Sequence, residues 1–394
     1  MTNLDRLIAE FCPGGVEYKK TGDIGRVAMC KRIMKDETAS EGDVPFYKIG
    51  TFGRQADAYI SQSLFDDYRN KYSFPKKGDV LISAAGTIGR TIIYDGNPAY
   101  YQDSNIVWLE YDESQVANKF LFYYYQLSPW HVSTGGTIAR LYNDNIARAV
   151  IPIPPLPVQR EIVRILDNFT ELTAELTAEL TARKKQYSYY RDHLLTFGDD
   201  VPMVTLGEIG TIIRGYGLPK SDFTESGVRC IHYGQIYTYY GVFAYDTKSF
   251  VSKETANNLK KVNKGDIIIA VTSENLEDVC KCVAWLGDDE IVTGGHTAIF
   301  KHNQNPKFIS YFLQTTAFFN QKRKIAHGTK VIEVTPSKLN DVKIPLPSLE
   351  EQGRIVAILD RFDALTTDIT SGLPAEIAAR QKQYEYYRDK LLTF

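Results

Sequence analysis

The chain has 394 residues, a net charge of −2, 43% hydrophobic residues and 24% charged residues. This composition excludes a disordered chain and a protein that coats nucleic acid by bulk charge, but leaves room for locally concentrated basic groups. No apolar run reaches the eighteen residues of a membrane span, and the N-terminus MTNLDR lacks the blocks of a secretory leader. Five cysteines, at 12, 30, 230, 280 and 282, form neither a disulfide framework nor a metal-ligand pattern. A cytoplasmic location is expected.

In chain order, a strand-like run at 80–83 leads into a Gly/Thr/Arg turn at 84–90, AAGTIGR. The segment 101–105, YQDSN, precedes a second strand-like run at 106–109, and 133–140, STGGTIAR, is a third glycine-rich stretch. Pro152, Pro154, Pro155 and Pro157 forbid helix before about residue 157. A helix is predicted from about 158 to 197, roughly 60 Å long. After the linker Gly198-Asp199-Asp200 the pattern starts again. Gly207-Glu208-Ile209-Gly210 echoes Gly22-Asp23-Ile24-Gly25, and Gly328-Thr329 echoes Gly136-Thr137. Ile344-Pro345-Leu346-Pro347 repeats Ile151-Pro152-Ile153-Pro154, and Ser348 with Glu351 forms a capping box.

The chain is therefore a tandem duplication. RKKQYSYYRDHLLTF at 183–197 and RQKQYEYYRDKLLTF at 380–394 share twelve of fifteen residues. Each half is a variable region, then a proline-rich stop, then a helix, and the helices are far more alike than the variable regions. The apolar seam of the first helix runs through Ile162, Ile165, Phe169, Leu172, Leu176, Leu180, Tyr187, Tyr190 and Leu194. That of the second runs through Ile355, Ile358, Phe362, Leu365, Ile369 and, at its end, Leu391. Both are heptad seams with four-residue stutters, which suits an antiparallel two-helix coil. Gly372 and Pro374 are placed to kink or break the second helix. Thr-Ala-Glu-Leu occurs twice in tandem at 173–180.

There is no phosphate-binding loop, no dinucleotide fingerprint, no H-E-x-x-H and no nucleophile elbow. No Asn/Asp-Pro-Pro-Tyr/Phe tetrapeptide of an amino-methyltransferase occurs, and the six histidines lack metal-ligand spacing. Cys280 and Cys282 read as core.

On the P-x-P…Q-x-x-I-V-x-I-L-D-x-F helix starts (Pro152 to Phe169, Pro345 to Phe362), the K-Q-Y-x-Y-Y-R-D helix ends and the two variable regions, the chain resembles the specificity subunit of a type I restriction–modification system. The tandem Thr-Ala-Glu-Leu resembles the IC subgroup. The resemblance implies a mixed α/β (α+β) fold, a pseudo-two-fold tandem repeat. Two target recognition domains, 1–150 and 198–343, are separated by two long antiparallel coiled-coil helices at 151–197 and 344–394. It implies a non-catalytic chain in which each domain reads one half of a split double-stranded DNA site and the helices act as a ruler. The implied partners are two methyltransferase subunits and two restriction/translocase subunits, with no membrane. S-adenosylmethionine, ATP and Mg belong to those partners; this chain would hold no cofactor and no metal. The alternatives are a specificity subunit of another multisubunit or orphan methyltransferase system, or a coiled-coil adaptor that binds no DNA.

Base edges are read by Arg, Lys, Asn and Gln, and phosphates by cations, hydroxyls and backbone N–H groups. Such residues in turn segments of the first region are Lys31, Arg32, Thr87, Arg90, Gln102, Asn105, Gly136, Thr137 and Arg140. In the second they are Arg214, Tyr216, Tyr233, Gln235, Thr272, Ser273, His296, Thr297, Thr329 and Lys330, with the basic run 322–324 just before the last pair. A lone lysine such as Lys119 reads as a solvated surface residue.

Overall fold

The apolar run Val80–Ser83 is a strand buried at every position, as expected for a β-branched segment covered on both faces. It is the third strand of a four-stranded antiparallel sheet, in the order Arg26–Ala28, Ile106–Glu110, Val80–Ser83, Thr91–Ile93. A three-stranded sheet, Tyr59–Ile60, Val44–Tyr47 and Tyr100–Tyr101, lies in the same unit. The proline-rich stop is itself a strand, Val150–Ile153, paired antiparallel with Glu17–Lys20. The structure, a computed structural model, describes residues 2–132, 140–367 and 371–394.

The second half repeats this plan. Ile267–Ala270, also buried throughout, pairs with Thr297–His302 on one side and Cys282–Trp285 on the other. Gly210–Arg214 extends the sheet beyond Thr297–His302, and Phe243–Ala244 adds a parallel edge strand. A further five-stranded sheet contains Val228–Ile231 and Ile291–Thr293 as a parallel pair. Met203–Thr205 pairs with Lys343–Pro345, as Glu17–Lys20 does with Val150–Ile153.

At the end of its strand His302 accepts a hydrogen bond at Nδ1 from Gln304 N (3.1 Å), while its Nε2 is buried without a partner. Burial pushes the imidazole down from 6.5 to about 4. Between those values the unfolded chain binds a proton that the folded chain refuses. Stability is therefore fully present above pH 6.5 and falls as acid is added, by about 3 kcal/mol over the whole shift. Urea denaturation at pH 7.5 and pH 4.5 will show this loss, and His302→Gln will flatten it.

Three long helices follow the strands: α1 (Leu156–Leu194), α2 (Leu349–Thr367) and α3 (Leu373–Leu391). α1 has 39 residues, about 58 Å at 1.5 Å per residue. The second helix segment is thus two helices. One is described through Thr367 and the other begins at Leu373 after non-helical residues 371–372, with Pro374 in the first turn, where a missing N–H costs little.

The repeated helix-start motif has a packing explanation. Gln159 and Gln352 are both fully buried. The Gln159 carboxamide accepts from Ala117 N (2.8 Å) and donates to Gln115 O and Pro154 O (2.7 Å each). Gln352 likewise accepts from Asn305 N (3.0 Å) and donates to Pro347 O (3.0 Å). Each tethers its helix start to its own domain. Asp167 accepts from Tyr123 Oη (2.8 Å) and pairs with Lys119 Nζ (2.7 Å). Asp360 does the same with Tyr311 (2.7 Å) and Lys307 (2.8 Å). Lys119, read as merely solvated, is therefore one arm of a repeated clamp.

The compact units cut across the expected helix segments. One comprises residues 1–175 and 378–394, the other 176–377. In the first, Tyr387 from the chain's end stacks on Phe169 at 5.3 Å, and Leu392 joins the core of Val158, Ile162 and Leu166. In the second, Tyr190 stacks on Phe362 at 5.4 Å, and Leu195 joins the core of Ile355 and Leu359. Each domain is thus completed by the helix end of the other repeat.

This corrects the heptad seam. Ile162, Tyr187 and Ile355 are buried as expected, while Ile165, Phe169, Leu172, Leu176, Leu180, Leu194, Ile358, Phe362 and Leu391 are half-buried. Leu365 and Tyr190 are 39% and 38% exposed. The deepest positions include Val158, Leu166, Leu195, Leu359 and Leu392, which a single seam passes over. The helix starts bury a second stripe, at four-residue spacing, against their own domains. Ile369 lies outside the described residues.

Candidate nucleic-acid interface

In the second unit, residues from separate segments converge around His296. Thr272–Ser273 pairs with Ile332–Glu333, which sets the loop at 327–331 beside the former. Thr272 Oγ1 lies 3.0 Å from His296 Nδ1, and the Tyr233 ring is 4.9 Å from the His296 ring. Arg214 pairs with Glu333 at 3.1 Å. Tyr216, 59% exposed, carries Lys260 Nζ over its ring at 5.0 Å. Thr329 and Lys330 are exposed, and Ser273 is half-buried. Behind Tyr233, His232 accepts at Nδ1 from Gly234 N (3.1 Å). Burial first, then the charge of nearby Lys220, holds its imidazole below the ordinary range. The result is an exposed face of rings, hydroxyls and cations, the mixture that stacks on bases and pairs with phosphates.

Several expected contacts have internal duties instead. Thr297 is fully buried, and its Oγ1 donates to Gly294 O (2.6 Å), because it begins the buried strand Thr297–His302. Gln235 donates to Ser249 Oγ (2.6 Å) and accepts from His232 N, bracing a helix start. Thr272 is 7% exposed and serves His296. Lys322, in the basic run, is 5% exposed, and its Nζ donates to Glu277 O and Val279 O (2.9 and 2.7 Å).

In the first unit the corresponding face is built on the loop before Ile106–Glu110. Arg140 Nη2 donates to Ser104 O (2.7 Å), and Arg32 pairs with Asp103 (2.9 Å). Two hollows, of about 450 and 670 Å³, share Ser104 and Arg140 in their walls. Arg32, Lys35 and Lys48 border the smaller one and Arg148 the larger. Lys31 is exposed and caps the Tyr72 ring at 5.3 Å, Thr87 is exposed, and Asn105 is half-buried. Two candidates also make internal contacts. Arg90 Nη1 donates to Phe52 O (2.9 Å), and Gln102 Oε1 accepts from Ile49 N (3.0 Å), so both hold loops together. Gly136 and Thr137 lie outside the described residues.

Sequence reasoning missed Lys260, Lys220 and Glu333. Lys260 meets Tyr216 across 44 residues of chain, and no local signal marks such a pair. All five cysteines are buried, and burial pushes the thiols of Cys30, Cys230, Cys280 and Cys282 up to about 12. Among the described residues, no cluster of three or more His, Cys, Asp and Glu could hold a metal ion, and no helix is long and apolar enough to cross a membrane.

Two equivalent scaffolds bearing unlike exposed loops define a protein with two recognition domains. Residues 13–183 and 198–379 match the type I restriction modification DNA specificity domain, and the chain belongs to that family. It is 57% identical over 180 residues to a protein of Haemophilus influenzae whose name places it among type I restriction enzyme specificity subunits. That match covers 45% of this chain and only 47% of the relative. It is 38% identical over 301 residues to the EcoR124I/EcoR124II specificity subunit of Escherichia coli, covering 72% of each. A solved chain from work on the assembly and conformational transition of the type I R-M system shares the fold, with a TM-score of 0.62 at 18% identity. The alignment covers 96% of this chain and 98% of that one.

Proposed function

We propose that this chain is the DNA-reading subunit of a type I restriction–modification complex and recognises a bipartite site, one half-site per unit. One observation carries this reading. Buried framework contacts recur at matching positions, as in Gln159/Gln352 and Asp167/Asp360, while the exposed loop tips differ. Equal frames present two different surfaces, which is what reading two different half-sites requires. In this reading the long helices fix the unread spacer. Two methyltransferase subunits and two restriction/translocase subunits dock on the chain. It performs no chemistry itself and works in the cytoplasm with the genome. The family's reactions draw on S-adenosylmethionine, ATP and Mg, which this reading assigns to the partners. Family membership supports the assignment, and the exposed Arg214, Tyr216, His296 and Lys330 are groups suited to a polyanion and its bases. Mapping modified bases in cells that co-express the chain with the methyltransferase of its own system tests the proposal.

A further inference from the structure

The strand registers single out one position in each unit. Ser83 pairs with Ile106 and Ala270 with Thr297. Asn105 and His296 are therefore equivalent, each the last residue before the strand that pairs with the fully buried strand of its sheet. The backbone junction around them is also the same. Ala84 N donates to Asn105 O (2.8 Å) and Leu141 N to Ala84 O (2.9 Å). Val271 N donates to His296 O (2.9 Å) and Val334 N to Val271 O (2.9 Å).

Both loops hold a non-glycine residue in left-handed backbone, Ser104 at φ 59° and His296 at φ 64°. Such a conformation is unfavourable for a residue with a Cβ and persists only where the surroundings impose it. In the second unit they do. A Cβ on Gly294 would meet Leu218 Cβ at 2.0 Å, and one on Gly215 would meet Gly294 O at 2.0 Å. Backbone packed on backbone leaves this loop no room to shift, so the His296 side chain projects from a rigid base. Its ring is exposed, and Nδ1 faces Thr272. No described residue hydrogen-bonds its Nε2.

We propose that Asn105 and His296 are equivalent base-reading positions, one for each half-site; this rests on the DNA-reading role above. A carboxamide at 105 offers a donor and an acceptor, the pair that matches the adenine N6/N7 edge. When Thr272 donates to Nδ1 of His296, Nε2 carries the proton and matches a purine N7 acceptor. The same scaffold position thus carries different chemistry in the two units, and a rigid base lets it discriminate without an ordering cost.

The test maps modified sites for complexes containing Asn105→Ala or His296→Gly. Glycine keeps the left-handed backbone and removes only the ring. Each variant is expected to relax one position of one half-site about tenfold or more. The two variants are expected to act on different half-sites, with melting temperatures unchanged. His296→Asn, which also tolerates left-handed backbone, is expected to alter the preference at the same position. Variants that fold and keep both half-sites intact, or that both act on one half-site, overturn the assignment. A wild-type complex that modifies no bipartite site overturns the DNA-reading role itself.

Discussion

Leu392→Ala, two residues from the last one in the sequence, will lower the stability of the first unit by about 2–5 kcal/mol. The expectation follows from burial. Leu392 is 1% exposed and sits in a core with Ile162, Leu166 and Val158, more than 220 residues away in sequence. Truncation removes apolar contact and leaves a cavity, because a core held by sheet and helix relaxes only partly. Thr393→Ala next door, at an exposed position, serves as the control and will change little. Leu195→Ala, its counterpart at 2% exposure, will do the same to the second unit. Calorimetric melting of the full chain is the measurement. An unaltered transition for Leu392→Ala would show that the last helix turn does not complete this core.

The second large effect is on specificity. One more Thr-Ala-Glu-Leu placed after Leu180 adds about 6 Å of rise and roughly 40° of rotation to α1. Leu172, Leu176 and Leu180 stand four apart and are all half-buried, so the inserted unit continues the same stripe without exposing a new one. Against about 3.4 Å per base pair, the preferred spacer will lengthen by one or two base pairs. Both half-sites will stay as they were, and the original site will no longer be modified. Sequencing of modified DNA reads this directly. A changed half-site would contradict the spacer role of the helix.

The duplication, the helix starts and the likeness of the two helix ends were legible because they repeat; that each end completes the core of the other repeat was not. Identity at 183–197 and 380–394 marks positions under the same packing demands, and Tyr190 and Tyr387 do meet the same partner residue type, Phe362 and Phe169. The break near Gly372 and Pro374 was legible because those residues act through local backbone geometry. The clamp on Asp167 was not, since Lys119 and Tyr123 reach it across 48 and 44 residues. Among the candidate contacts, residue type alone could not separate Thr297, buried at the head of a strand, from its exposed neighbour His296. A one-residue step along a strand entry reverses which side meets solvent. Nor could residue type show that Arg90 and Gln102 engage Phe52 O and Ile49 N, 38 and 53 residues away in sequence.

The central claim is that two unlike surfaces on equal frames read two half-sites. Its most direct test is single-molecule sequencing of modified bases in cells that express this chain with its methyltransferase subunit, the assembled complex being verified by purification. The account predicts one modified motif in two parts, with an invariant gap of unread bases between them. An assembled complex that leaves the DNA unmodified, or modifies one continuous motif, would contradict it.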